Sequence, residues 1–419
     1  MEIAQQVLAI AQAAREASRT LAYISSSLKN KVLGEIADEL QGSKEMLTRE
    51  NEKDIDDARK KGLSPALIDR LRLSDKVLNS MVAGIHEVVE LPDPVGEVVS
   101  MWKRPNGLLV GRVRIPLGVI AIIYESRPNV TVDAAALCLK SGNAVILRGG
   151  KEALHSNQAL ARIMQEVIRR NGIPEGAVQL IPVAEREAVY ELLTLEDYID
   201  LVIPRGGEEL IRAVVSHSRI PVIKHYKGVC HIFVDERADE AMAEAIVVNA
   251  KVQRPAVCNA LETLLIHEVI APRFLPRMVS RLKKEKVEVR ACERCRAIVP
   301  DLKEAGEDDW YQEYLDLVLS VKIVSTIEEA MHHIAKYGSL HTDAIITSDY
   351  AHSQLFLQKV NSSVVLVNAS TRFNDGNQLG LGAEIGISTT KLHAFGPMGL
   401  QELTTCKFVV YGSGQIREG

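Results

Sequence analysis

The sequence has few cysteines, no long apolar run and no excess of positive charge. Six cysteines in 419 residues do not make a disulfide framework, so we expect a cytoplasmic protein of a reducing compartment. No uninterrupted apolar stretch reaches the roughly 18 residues of a membrane span. The amphipathic, acid-containing N-terminus differs from a secretory leader. A net charge of −5 offers no basic field to nucleic acid or an anionic membrane.

The length and the N-terminal periodicity indicate several globular parts with a helical beginning. A chain that is 47% apolar and 25% charged has ordinary globular composition, and its length predicts two or three domains. Residues 2–60 repeat apolar side chains at helical spacing. They predict two helices, one with Ile3, Val7, Leu8 and Ala11 on one face and one with Leu33, Ile36, Leu40 and Leu47. Ser64 and Pro65 predict the start of a further helix.

A β-hairpin is predicted after the helical region. Val95–Trp102 and Leu108–Ile115 are β-rich, and the connection Lys103–Gly107 has turn residues. The final apolar segment, Cys406–Tyr411, is predicted to pair with this hairpin. An inserted hairpin with exposed apolar residues often donates a strand edge to another subunit.

From Leu117 onward, short apolar runs alternate with helical segments. Val119–Tyr124 is continuously apolar and β-branched, as in a strand buried on both faces. Further strands are predicted at Ala144–Leu147, Val178–Ile181, Leu201–Ile203, Val222–Ile223 and Ile232–Val234, and a second α/β region follows Cys258. The alternation predicts a parallel, doubly wound sheet that binds ligands at the carboxyl ends of its strands.

Glycine-rich junctions after these strands are candidates for phosphate binding. No G-x-G-x-x-G opens a helix after a strand, and Gly380–Gly386 is predicted to be a loop. Two junctions, Arg148–Gly150 and Arg205–Gly207, place an arginine beside a helix N-terminus, which suits a phosphate. On the residues alone, a tight turn with a surface arginine is the stronger alternative.

Cys258 is the candidate nucleophile of the sequence. It lies between a predicted helix, Ala241–Val248, and a predicted strand, Leu261–Ile266. Arg254 and Pro255 interrupt regular structure before it, so a loop is expected, where catalytic groups concentrate. On this segment alone, a packed thiol is the more common explanation, since free cysteines are usually buried.

Five strings together resemble one known family. They are Tyr124–Val130 (YESRPNV), Lys224–Gly228 (KHYKG), Gln253–Asn259 (QRPAVCN), Val324–Ile345 and Val367–Thr389. The sequence resembles the γ-glutamyl phosphate reductases, a branch of the aldehyde dehydrogenase superfamily, essentially from end to end. It departs from the family pattern at Phe395, where arginine is usual, and at Lys151, where a small residue is more common.

The resemblance implies an aldehyde dehydrogenase-like α/β fold with three parts. A Rossmann-type NADPH-binding domain would comprise residues 1–98 and 116–235. An α/β catalytic domain would comprise residues 236–400. A small β oligomerisation flap would comprise residues 99–115 and 401–419.

The resemblance also implies the chemistry. Cys258 matches the nucleophile that would attack an acyl phosphate, expel phosphate and carry a thioacyl group. Asn129 matches the amide that, with the Cys258 backbone N–H, would hold the oxyanion, although Asn after Pro128 is also ordinary turn chemistry. His225 stands where hydrolytic members carry a glutamate, which favours acyl-phosphate reduction over aldehyde oxidation.

Cofactor and substrate residues follow from the same resemblance. Residues matching cofactor contacts are Arg148, Gly149, Gly150, Lys151, Gly206, Gly207 and Glu313. The cations Arg148 and Lys151 would favour NADPH over NADH. Contacts to the substrate, L-glutamyl 5-phosphate, would come from Arg127, Asn368, Thr371 and Arg372, because its α-carboxylate needs a cationic clamp.

The implied enzyme is an NADP-dependent, phosphorylating glutamate-5-semialdehyde dehydrogenase of proline biosynthesis. A homodimer or homotetramer is expected because the flap exposes strand edges, and association with glutamate 5-kinase is implied. Two alternatives remain: another thioester-forming aldehyde dehydrogenase, such as one that uses coenzyme A, and a non-catalytic scaffold.

Two further clusters are not assigned a metal or redox role. Cys292 and Cys295 form a lone C-x-x-C among charged residues, and a solvent-facing turn is the favoured interpretation over zinc or redox use. His332, His333 and His341 have no cysteine or carboxylate that completes a recognisable ligand set, so no metal site is expected.

Overall fold

The computed structural model describes residues 2–417, and these form two compact units. The first unit contains the described residues of Met1–Lys224, Leu381–Gly386 and Met398–Gly419, and the second contains His225–Gly380 and Ile387–Pro397. The sequence places the end of the first domain at residue 235, but the structure divides the chain at Lys224. The reason is that the strand Cys230–Val234 pairs inside the sheet of the second unit. None of the described helices is long and apolar enough to cross a membrane.

Five helices open the first unit: α1 Ile3–Leu21, α2 Ser26–Gly42, α3 Lys44–Lys60, α4 Pro65–Leu71 and α5 Asp75–Glu90. The prediction of two helices over residues 2–60 is wrong. Ser43 leaves helical geometry after Gly42 (φ −95°, ψ 11°), so Leu47 lies on a third helix. The predicted cap at Ser64 is confirmed, since its side chain accepts a hydrogen bond from the backbone nitrogen of Leu67.

The predicted hairpin is confirmed. Strands β1 Val98–Lys103 and β2 Leu109–Pro116 pair antiparallel, with Trp102 opposite Val110. The C-terminal strand, Thr404–Tyr411, pairs antiparallel with the other edge of β2. All six residues of β1 are exposed, so this three-stranded sheet carries apolar side chains on its surface.

The first unit also contains a four-stranded parallel sheet. Its elements are β3 Val119–Tyr124, α6 Asn129–Lys140, β4 Ala144–Arg148, α7 Leu154–Arg170, β5 Val178–Leu180, α8 Glu187–Leu192, β6 Leu201–Arg205 and α9 Glu208–His217. The strand order β5-β4-β3-β6 reverses between β3 and β6, which is the place where doubly wound sheets bind ligands. The strand predicted at Val222–Ile223 is wrong, because Val222 makes only an isolated bridge to Val202.

The second unit is built on a seven-stranded parallel sheet of order β10-β9-β11-β8-β7-β12-β13. Its elements are β7 Cys230–Val234, α10 Glu240–Val252, β8 Leu261–His267, α11 Ala271–Lys284, β9 Glu288–Ala291, α12 Glu293–Ile298, β10 Lys303–Glu304, β11 Val318–Val324, α13 Ile327–Tyr337, β12 Thr342–Ile346, α14 Tyr350–Lys359 and β13 Val364–Val367. A short antiparallel pair, β14 Ile387–Ser388 with β15 Gly396–Pro397, completes it. The predicted α/β class with parallel sheets is therefore confirmed.

Candidate active site and cofactor pocket

A cavity of about 500 Å³ opens in the first unit at the carboxyl ends of β3 and β4. Tyr124 and Glu125 line it after β3, Arg148 and Lys151 line it after β4, and Glu209 lines it from α9. The cavity lies beside the strand at which the sheet order reverses, as expected for a nucleotide site. Both cations predicted to contact the cofactor therefore border it.

The two cations have different roles at this cavity. Arg148 donates hydrogen bonds to the carbonyl oxygens of Gly149 and Ala184, each over 3.0 Å, and burial lowers the pKa of Arg148. Its guanidinium therefore holds the rim of the cavity in shape. Lys151 is exposed at the start of a short 3₁₀ turn, so its ammonium group is accessible to an anion.

The glycines predicted at the cofactor site lie where backbone approaches other groups closely. A Cβ on Gly149 would come within 2.1 Å of the Asn157 amide nitrogen, and one on Gly206 within 2.5 Å of a Glu125 oxygen. The backbone nitrogen of Gly207, at the start of α9, donates to the Glu125 carboxylate over 2.9 Å. The Glu125 carboxylate thus already accepts from the backbone N–H that was predicted to face a phosphate.

Asn129 begins α6 and its side chain is held in place. Its Nδ2 donates to Oδ2 of Asp133 over 3.0 Å. Burial raises the pKa of Asp133 to about 6, against the opposing effects of Asn129 and Arg205. Arg127, predicted to contact substrate, is exposed in the loop just before this helix. The Asp133 carboxyl group therefore fixes the direction of the Asn129 amide, the predicted oxyanion donor.

Cys258 lies in a loop between α10 and β8 in the second unit, as predicted, and it is half-buried. The segment that contains Gly228 and Cys230 packs on it. The Cys230 thiol donates to the carbonyl oxygen of Cys258 over 3.2 Å. A Cβ on Gly228 would lie 1.8 Å from the same oxygen. The backbone at Cys258 is therefore fixed by the chain that enters β7.

Two histidines accompany the thiol. His225, Cys258 and His341 present donor atoms that all lie within 4.8 Å of one another. His341 is fully buried, its Nδ1 lies 2.7 Å from the Thr342 hydroxyl, and burial lowers its pKa to about 3. The prediction that no cysteine accompanies His341 is wrong, because Cys258 lies beside it. The three donors are close enough to hold a metal ion, or to place two imidazoles around the thiol.

This cluster lies at the opposite ends of the strands from those at which the sequence predicts ligands. Cys258 precedes β8, His225 precedes β7 and His341 precedes β12. The cluster therefore lies at the amino ends of three parallel strands, whereas ligands were expected at carboxyl ends. Only the order of strands in the folded sheet reveals that these segments are neighbours.

Arg372 joins both sides of the Cys258 loop. Its guanidinium donates to Oε1 of Gln253 over 2.8 Å and makes a short hydrogen bond to Oδ1 of Asn259. Burial lowers the pKa of Arg372, and the charges of Arg254 and Cys258 also act on it. A cation therefore lies within electrostatic range of the thiol, as a site for anionic substrates requires.

The remaining predicted residues differ in their hydrogen bonding. Asn368 has a positive φ of 55°, and its amide exchanges two 2.9 Å hydrogen bonds with the backbone of Thr347. The hydroxyl oxygen of Thr371 is buried without a hydrogen-bond partner among residues 2–417. Oε1 of Glu313 accepts a hydrogen bond from the backbone nitrogen of Gly228 over 2.9 Å. The ligand contacts proposed for these three stay predictions.

Phe395 is one of the two departures from the family pattern. Phe395 is partly buried and lies under the ammonium group of Lys391, 5.8 Å from it. A cation thus remains next to position 395, although the side chain there is aromatic.

Comparison with known proteins gives a consistent result. A model described as the aldehyde dehydrogenase family matches residues 2–296. The γ-glutamyl phosphate reductase of Geotalea daltonii is 61% identical over 418 residues, which is 100% of both chains. The crystal structure of the γ-glutamyl phosphate reductase of Thermotoga maritima is 48% identical, covers 98% of this chain and 100% of that one, and has a TM-score of 0.97. An engineered glycolyl-CoA reductase with bound NADP⁺ is 16% identical over 96% of each chain, with a TM-score of 0.67, and shares the fold.

Proposed function

The chain belongs to the aldehyde dehydrogenase family, and we propose that it reduces L-glutamyl 5-phosphate to L-glutamate 5-semialdehyde and phosphate in proline biosynthesis. The observation that carries this proposal is the surroundings of Cys258: a fixed loop, two imidazoles and a nearby guanidinium. The segment Lys224–Lys227 that passes the thiol contains no carboxylate, so it offers no base to activate water. A relative that is 61% identical over the whole chain is named γ-glutamyl phosphate reductase.

A nicotinamide cofactor supplies the hydride when it is bound. The cavity beside β3 and β4 fits such a group, because it lies at the reversal point of the sheet and has a cationic rim at Arg148 and Lys151. Lys151 is the exposed member and is proposed to meet a 2′-phosphate, which favours NADPH over NADH. Arg148 is proposed to keep the rim in position.

The Cys258 thiolate is proposed to attack the carbonyl carbon of the acyl phosphate. The new C–S bond forms, the C–O bond to phosphate breaks, and phosphate leaves with the electron pair. Asn129 and the backbone N–H of Cys258 are proposed to donate to the oxyanion, and loss of such a donor typically costs about 3–4 kcal/mol. Because no carboxylate accompanies the thiol in Lys224–Lys227, the thioacyl enzyme is expected to resist water until hydride arrives.

The anionic groups of the substrate are proposed to meet cations around the thiol. Arg372 and Arg254 act electrostatically on one another, and Cys258 acts on Arg372, so the phosphate would leave into a positive field. Arg127 and Thr371 are proposed to assist in holding the α-carboxylate. Asn368 is proposed to contribute to substrate binding from a fixed position, because its side-chain amide is bonded to the backbone of Thr347.

The three-stranded sheet of β1, β2 and the C-terminal strand is proposed as the contact between subunits of a homodimer or homotetramer. Val98, Met101, Trp102, Phe408 and Tyr411 expose large apolar surfaces there, and an uncovered edge strand of this kind favours association. A cytoplasmic location and an association with glutamate 5-kinase are proposed with this function. The first unit is proposed to bind NADPH and the second to carry Cys258.

The identity of the acyl acceptor tests the proposal against the coenzyme A alternative. The purified protein is given glutamate semialdehyde and NADP⁺ with either inorganic phosphate or coenzyme A, and NADPH absorbance is followed. Turnover that requires phosphate and is unaffected by coenzyme A supports the proposal. Turnover with coenzyme A alone would assign the chain to the acylating enzymes, and no turnover with either would favour a scaffold.

A further inference from the structure

The C-x-x-C pair is not a solvent-facing turn. Cys292 follows β9 and precedes α12, and Cys295 lies on that helix. Cys295 has no exposed surface and belongs to the apolar core beside Val321 and Ala291. The two sulfur atoms lie 3.6 Å apart, within hydrogen-bonding distance for thiols. The interpretation of this motif from sequence was therefore wrong.

The two thiols are unequal in access and in acidity. Cys292 is half-buried and is followed by the exposed residues Glu293 and Arg294, whereas Cys295 is fully buried. The hydrogen bond between the two sulfurs, with help from backbone groups, lowers the pKa of Cys292 to about 5. The same bond and burial raise the pKa of Cys295 well above its usual range. Cys292 is thus the less buried and more acidic of the two thiols, and Cys295 is the protected one.

We propose that Cys292 and Cys295 form a redox-active dithiol, in which Cys292 attacks an external disulfide and Cys295 resolves the mixed disulfide. In the first step the Cys292 thiolate bonds to one sulfur of a small disulfide, and the other sulfur leaves as a thiolate. In the second step Cys295 loses its proton and attacks Cys292, and the second small thiol leaves. Two electrons pass from the protein dithiol to the disulfide, which becomes two thiols.

The second step needs only a small closure between the two sulfur atoms. A disulfide needs sulfur atoms about 2.05 Å apart, and the present separation is 3.6 Å. Cys292 immediately precedes α12 and Cys295 lies in the first turn of that helix. The site is separate in sequence from Cys258 and does not depend on the proposed reductase activity.

Glutathione disulfide is the probe that tests this site. The reduced full-length protein is incubated with it, remaining thiols are blocked with N-ethylmaleimide, and peptides are mapped by mass spectrometry. The wild-type protein is expected to form the Cys292–Cys295 disulfide and to keep no glutathione on either residue. Cys295→Ala is expected to trap glutathione on Cys292, and Cys292→Ala is expected to leave Cys295 unmodified.

Cys406, which is also half-buried, provides the matched control. Cys406→Ala should form the Cys292–Cys295 disulfide at the wild-type rate. Glutathione that persists on Cys292 in the wild type, or a wild-type Cys292 that stays unmodified, overturns the proposal. Both of these results come from the wild-type protein, so they decide the question even if a variant does not fold.

Discussion

The backbone N–H of Gly228 donates a hydrogen bond to Oε1 of Glu313 over 2.9 Å, while the other side of this glycine faces Cys258. A Cβ at position 228 would lie 1.8 Å from the carbonyl oxygen of Cys258. One backbone segment therefore positions both the proposed nucleophile and Glu313, which is predicted to contact the cofactor. Substitutions in this segment should affect chemistry even though it provides no reacting atom.

Gly228→Ala is expected to displace the Cys258 loop. The added methyl group overlaps a backbone oxygen that cannot rotate away, so we expect a loss of about 1–3 kcal/mol in the free energy of unfolding and a large fall in kcat. Gly34→Ala is the matched control, because a Cβ on Gly34 meets nothing within 4 Å. Urea unfolding and steady-state kinetics measure both. Wild-type kcat in Gly228→Ala would refute the positioning role.

Asp133→Asn is expected to change the pH dependence of stability. The folded-state pKa of Asp133 is raised to about 6 by burial, so its contribution to stability is present at low pH and is lost as pH rises through 6. An amide there removes the buried charge and still accepts from Asn129. We expect the variant to be more stable than the wild type by about 1–2 kcal/mol at pH 7, with the difference disappearing near pH 4.

Urea unfolding at pH 4, 5, 6 and 7 measures this difference for Asp133→Asn. Asp197→Asn is the control, because Asp197 is exposed. A stability difference that is the same at all four pH values for Asp133→Asn would show that the carboxyl group titrates normally.

Lys151→Glu is expected to weaken NADPH binding selectively. An exposed ammonium beside the cavity is replaced by a carboxylate, which repels a 2′-phosphate, so the Kd for NADPH should rise by about tenfold or more while that for NADH changes little. Fluorescence titration with both cofactors gives the two constants. Lys76→Glu, on the exposed face of α5, makes the same change in net charge and should leave both constants unchanged. Equal losses for NADPH and NADH in Lys151→Glu would rule out a 2′-phosphate contact.

Arg372→Lys is expected to raise the KM for inorganic phosphate in the oxidative direction. Lysine keeps the charge, but it cannot bridge Gln253 and Asn259 as the guanidinium does, so about a tenfold to hundredfold increase is expected. The KM for NADP⁺ should stay within about twofold, since a change there of similar size would indicate general damage to the fold.

Local patterns in the sequence correctly predicted the elements that depend mainly on neighbouring residues. The buried strand Val119–Tyr124, the hairpin and the loop at Cys258 were all identified, because apolar runs and turn residues specify them directly. The break at Ser43 was missed, since the apolar spacing continues across it. A strand is predicted at Val222, but this residue makes only an isolated bridge to Val202 of β6.

Contacts between distant segments account for the other failures. His341 joins Cys258 because β12 and β8 both neighbour β7 in the sheet, and no spacing in the sequence reports that order. Cys295 is buried because α12 packs on β11, whereas its charged neighbours suggested exposure. Asn129, Glu313 and Arg372 were predicted as site residues only from the family resemblance. Local patterns alone would have assigned them to turns or to the surface.

The most direct test of the account is the NADPH formed from glutamate semialdehyde and NADP⁺ in the absence of phosphate. If Cys258 carries a thioacyl group that water does not resolve, a burst of about one equivalent of NADPH per chain should appear and then stop. Added phosphate should restart turnover, and Cys258→Ala should give no burst. Continuous NADPH formation without phosphate would contradict the account, because it would mean that water releases the acyl group from Cys258.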